Sequence, residues 1–160
     1  LARQIGDRPL LAVLAQALAA ADYMVRLDAA RSIGWLDEDD LAEGIAIGVA
    51  APDPEMRMEA MAIAQNAPSR CRPEIMKRTL SASAEDVQLQ SVEIISEQPS
   101  RALFGLLVDS FQHSEGALRD AINEAIENVT QQRFASSHDA ATWWTLNAER
   151  FDDLMLPKEQ

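Results

Sequence analysis

Val25-Arg26-Leu27-Asp28-Ala29-Ala30-Arg31-Ser32-Ile33-Gly34-Trp35-Leu36 is the stretch that decides the fold, because degraded copies of it recur at a fixed interval. Val25-Arg26, Met56-Arg57, Val87-Gln88 and Leu118-Arg119 open the matching segments, each 31 residues after the last. A period of this length is one supersecondary unit copied along an axis. Within each copy the apolar residues fall three or four apart, as in Val25, Ala29, Ile33 and Leu36, or Leu118, Ile122, Ile126 and Val129. That spacing puts them on one face of a helix.

Working outward, a second apolar run precedes each copy: Leu10, Leu14 and Leu18; Leu41, Ile45 and Val49; Met76 and Leu80; Leu103, Leu107 and Phe111. Each repeat therefore reads as two helices. Asp22, Asp53 and Glu115 stand at the turn between them, where a carboxylate can cap backbone N–H groups and meet the positive helix end. The third repeat has Ala84 there, with Glu85 and Asp86 inside the first turn. Small residues at Ala29, Ala60 and Ser91 allow close helix approach, and Pro52, Pro54, Pro68, Pro73 and Pro99 fall at turns or first-turn positions. Period-two alternation is absent, so no sheet is expected.

Composition agrees with an all-helical chain: 160 residues, 48% hydrophobic, with only 6 glycines. No apolar run approaches the roughly 20 residues that span a bilayer. The net charge of -12, from 26 acidic and 14 basic residues, opposes nucleic-acid and anionic-membrane binding. It favours a basic or apolar protein partner, or serves solubility alone. Cys71 is the lone cysteine, so no internal disulfide framework exists and the compartment is open, with a cytoplasmic location the expectation. The chain begins at Leu1 rather than Met, so a trimmed or processed product is expected.

The second-helix pattern resembles the HEAT-repeat family, in particular short bacterial HEAT-like repeats of the form V-R-x-x-A-A-x-x-L-G-x-L. Val25, Arg26, Ala29, Ala30, Ile33, Gly34 and Leu36 carry the likeness in the first repeat. Asp53 to Arg57 and Ala60 carry it in the second, while Gln88 and Glu127 depart from it in the later two. The resemblance implies a right-handed α-α superhelix with repeats at about 9–36, 40–67, 71–98 and 102–129. Residues 130–154 would form a C-terminal cap, and the whole a single domain over 1–160. Thr130 to Phe134, Trp143-Trp144 and Asn147 are similar to the closing segment of such arrays, which covers the last apolar face. Adjacent tryptophans point apart on a helix, so one is expected buried and the other partly exposed. The resemblance also implies that Arg26, Arg57 and Arg119 link successive repeats through acidic or carbonyl groups.

In such arrays the second helices line the concave side. With Val25 at the centre of the core face, residues two, six and nine positions later point away, at about 200°, 240° and 180°. Leu27, Met58 and Leu89 then form an exposed apolar ladder flanked by Met61 and Val92. Glu93, Glu97, Asp120, Glu124 and Glu127 make the same surface acidic toward the C-terminal end. The expected function is a non-catalytic scaffold binding a protein or peptide with an apolar anchor and a basic end; burial of the ladder within the fold is the alternative. Trp35 reads either as an interface anchor or as a packed inter-repeat residue. His138-Asp139, His113 and Cys71 lack the companions that a metal or nucleophilic site needs, so no catalytic residue, metal or cofactor is expected. Asn128-Val129-Thr130 matches a glycosylation acceptor, discounted because Val129 reads as core. HEAT-like arrays also occur as bilin-attaching lyases and as DNA glycosylases. The acidic inner surface opposes the first and the net charge opposes the second. A structural segment of a longer solenoid is a further alternative.

Overall fold

The computed structural model describes residues 8–158, residue 8 by its backbone alone. Residues 1–7 and 159–160 of the expected 1–160 domain lie outside the described residues. Among the described residues there are nine α-helices and no β-strand. They are α1 (Arg8–Leu18), α2 (Tyr23–Ser32), α3 (Glu38–Val49), α4 (Pro54–Gln65), α5 (Arg72–Leu80), α6 (Glu85–Glu97), α7 (Arg101–Phe111), α8 (Gly116–Thr130) and α9 (Ser137–Asn147). Short 3-10 turns follow α2 (Ile33–Trp35) and α9 (Ala148–Arg150). The first eight helices fall two to a repeat, and α9 occupies the expected cap segment. The chain divides into two compact units, Leu1–Val87 and Gln88–Gln160.

In the first unit α1 packs on α2, α3 on α4, and each pair on the next through α1–α3 and α2–α4 contacts. Asp22 caps α2 by accepting from the Val25 N–H at 3.1 Å, and Asp53 caps α4 by accepting from Glu55 N–H at 3.0 Å. Pro54 follows at the first helical position, where its missing N–H costs nothing. The small-residue expectation holds at Ala60. A Cβ on Gly48 would lie 2.6 Å from Ala60 Cβ and 2.6 Å from Ile33 Cδ1, so α3 and α4 meet at a contact that only glycine admits.

In the second unit α7 packs on α8 and on α9. Leu103, Phe104, Leu107, Phe111, Ile122 and Ile126 are its buried apolar residues. Trp144 stacks on Phe104 with ring centroids 4.7 Å apart, while Trp143 sits between Phe134 at 5.7 Å and Phe151 at 5.9 Å. Both tryptophans are partly buried, so the partly exposed ring is as expected and the fully buried one is not found. Phe151 also lies 6.3 Å from Trp144, so both indoles share it, and each has a second aromatic partner of its own. Arg101 pairs with Glu149 just beyond α9, and this guanidinium holds the Glu149 carboxyl below the usual carboxylate range. Glu115 stands at the N-cap of α8 but its side chain makes no capping hydrogen bond, unlike the two aspartates.

Candidate functional site

Two of the recurrent arginines, Arg26 and Arg57, act between repeats; Arg119 bonds only within its own repeat among the described residues, which corrects the expectation for it. Arg26 Nη1 donates to the carbonyls of Ala20 and Ala21, both at 3.0 Å, and its Nη2 reaches Asp53 Oδ2 at 3.0 Å. Arg57 repeats this with Ala51 at 3.1 Å, Pro52 at 3.0 Å and the Asp86 carboxylate at 2.7 Å. Each guanidinium thus ties its own inter-helix turn to the start of the second helix in the next repeat. Asp86 lies two residues past the column of Asp53, so the third repeat keeps the partner although Ala84 replaces the cap. The Asp53 carboxyl is held below the usual range first by the Glu55 N–H and then by Arg26; Asp86 is held down first by Arg57. Arg119 folds over the Phe111 ring at 4.5 Å and donates to the Phe111 carbonyl at 3.2 Å. Arginines so engaged do not form a free anion site.

The surface opposite this machinery differs from the expected ladder. Leu27 is 7% exposed and Met61 is fully buried, as is Val92, so none of the three lines a groove. Val25, placed at the centre of the core face, is 46% exposed instead. Helix neighbours supply the reason. Helix α4 is packed against α2, α3 and α5, so its buried arc exceeds the 100° stripe of a surface helix. Met61, about 140° from the Val25 column, falls inside that arc. Leu10, expected in the core, is exposed, and Leu11 takes its place beside Leu14 and Leu18.

Met58 keeps the predicted exposure at 48%, and Leu89 is partly buried. Trp35 is 90% exposed, which removes the packed inter-repeat alternative. Its neighbour Gly34 lines a cavity of about 340 Å³ with Leu41, Glu59, Ala62, Ile63 and Pro68. Ala62 follows Met58 by one helical turn, so the exposed face of α4 leads into the cavity beside Trp35. Glu59, at its edge, accepts from Arg31 at 3.4 Å.

The second unit carries the acidic residues. Glu93 and Glu97 are exposed on α6. Asp120, Glu124 and Glu127 project from successive turns of α8 and line a polar cavity of about 510 Å³ with Asn123, Gln131 and Arg133. Arg133 lies 3.7 Å from Glu127 and offsets part of the charge. Asn123 Oδ1 is buried with no hydrogen-bond partner among the described residues. Sequence reasoning placed Arg133 and Phe134 in the closing segment without their contacts and missed Phe151, which only its chain position near the tryptophans hinted at.

No family model, curated protein or solved structure matches this chain. The site therefore rests on its own geometry. Among the described residues no three His, Cys, Asp or Glu side chains converge as a metal site. His113 and His138 are exposed and apart in sequence, and the Cys71 thiol contacts Glu38 Oε2 at 3.5 Å. No helix of the described residues is long and apolar enough to cross a membrane.

Proposed function

We propose that this chain is a non-catalytic protein-binding module whose helix pairs are HEAT-like repeats of the right-handed α-α superhelix type. The observation that carries the reading is Trp35, 90% exposed and next in the chain to Gly34, which lines the cavity with Ala62 and Ile63. An indole left almost wholly in water has no role in packing, and tryptophan is the residue most enriched among interface anchors. Met58 extends the apolar surface along α4. In the second unit, Asp120, Glu124 and Glu127 offer a separate acidic cavity suited to lysine or arginine side chains. Partners are accordingly protein segments with an apolar anchor or a basic stretch, rather than nucleic acid or membrane.

Selection from a random peptide library against the full chain tests this. Bound peptides are expected to carry an aromatic or aliphatic anchor together with Lys or Arg. Trp35→Ala and Met58→Glu should each weaken them at least tenfold while leaving thermal unfolding unchanged. Peptides selected equally well by the Trp35→Ala, Met58→Glu double variant would sink the reading.

A further inference from the structure

The repeat-to-repeat contact inside the first unit has a giving side and a receiving side. The α1–α2 repeat gives Arg26, Arg31 and the apolar pair Ile33 and Leu36. The α3–α4 repeat receives them with Asp53 and Glu59 for the arginines, and Gly44 packs so closely under Leu36 that a Cβ would overlap it. Leu41 and Met56 complete the buried receiving face.

Counting back 31 residues gives the equivalent face on the first repeat: Leu10, Val13, Asp22, Val25 and Asp28. Every one of these is exposed, Leu10 at 49%, Val13 at 59% and Val25 at 46%. No cation among the described residues reaches Asp22 or Asp28; Asp22 only caps its own helix. The first repeat thus presents a receiving face with both carboxylates open beside Leu10 and Val25, but Val13 and Ala17 stand where Gly44 and Gly48 make room for Leu36 and Ile33.

We propose that this face docks a partner helix carrying two arginines five residues apart, followed by small residues two and five positions after the second arginine, because Val13 and Ala17 fill the room that Gly44 and Gly48 leave for Leu36 and Ile33. That is the spacing of Arg26, Arg31, Ile33 and Leu36, read from the one interface of this kind that the first unit displays in full. Charge complementarity selects the occupant. Two copies pairing through the same face would set Asp22 and Asp28 against each other with no arginine between them, whereas a basic amphipathic helix neutralises both. This surface shares no residue with the Trp35 and Met58 site, so either can fail alone.

The probe is a capped synthetic peptide of residues 20–36 with Ile33→Ala and Leu36→Ala, labelled at its N-terminus and titrated against the full chain by fluorescence anisotropy. Saturable binding is expected. Charge reversal at both peptide arginines, Arg26→Glu with Arg31→Glu, should weaken it at least tenfold. On the protein, Asp22→Asn with Asp28→Asn should weaken it similarly while the asparagine preserves the helix cap, and Val25→Lys should abolish it. Trp35→Ala in the protein should leave it unchanged. Absence of saturable binding, or binding indifferent to the arginine and aspartate changes, would overturn the proposal. A chain that sediments as a dimer and becomes monomeric with Val25→Lys would also overturn it, assigning the face to a second copy.

Discussion

Helices α2 and α4 align residue for residue at the 31-residue period, yet they bury opposite edges. In α2, Val25 is exposed and Leu27 is buried; in α4, Met56 is buried and Met58 is exposed. Between these edges the two helices share a face, Ala29, Ala30 and Ile33 against Ala60, Met61 and Ala64, buried in both. The difference lies in what stands alongside. The Met56 side of α4 is turned to α2, which presents Arg26 and Arg31 to it, while among the described residues no helix covers the same side of α2. A repeated column therefore marks a position in the array, and burial follows from the neighbour at that position.

The strongest way to break the comparison is one substitution at both ends of a column. Met56→Lys should destabilise the protein by roughly 3–4 kcal/mol, because it buries an unpaired cation, whereas Val25→Lys should stay within about 0.5 kcal/mol. Urea unfolding of the two variants distinguishes them, and equal losses would mean that Val25 is covered. Next in size is the contact beneath α4. Gly48→Val should cost about 3 kcal/mol by overpacking Ala60 and Ile33, while Gly34→Ala, with only ordinary contact to Ile63, should be neutral or slightly stabilising.

At the other edge, Leu27→Ala should cost about 2–3 kcal/mol and Met58→Ala less than about 1 kcal/mol, again by urea unfolding. The arginine rungs come next. Arg57→Met, which removes a well-aligned pair and two carbonyl bonds from a mostly covered guanidinium, should cost about 1–2 kcal/mol after allowance for the exposure of Asp86. These rungs also set a pH signature. Asp53 and Asp86 have folded carboxyl pKa values below their unfolded ones, so their contribution is present above the ordinary carboxylate range. It is lost as pH falls below about 4 and through the depressed folded values. The stability gap between the natural chain and the Asp53→Asn, Asp86→Asn variant should therefore be constant near neutrality and shrink on acidification. Smallest of all is Trp35→Ala, with an unfolding midpoint expected to match the natural chain, since the indole touches almost nothing.

Most of the architecture was legible before any coordinates. The interval of 31 residues marked two helices per repeat and the aspartates marked the caps at Asp22 and Asp53, while the linking role of Arg26 and Arg57 was what the family resemblance implied. The candidate site was legible only in part. Met58, Asp120 and Glu124 stand exposed as their helical phase implied, whereas the sequence left Trp35 open between exposure and packing. Leu27 does not, because a helical wheel needs a centre and Val25 was the wrong one for α2; Met61 does not, because the covered arc of α4 is wider than one stripe. The error was a matter of rotation, and nothing local in α2 reveals it: alanines and leucines are equally at home on either edge.

What the amino-acid order determined by itself is what depends on near neighbours in the chain. Helix phase, cap chemistry, the reach of each arginine to its own turn carbonyls and the repeat length all follow from contacts within a few residues or from their periodic recurrence. Only the tertiary structure decided which edge of each second helix is dry, where Phe134 and Phe151 meet the paired tryptophans, and that Trp35 is left in water. Those outcomes depend on which helix is packed alongside, and the hydrophobic effect rewards any covered surface without regard to its place in the sequence.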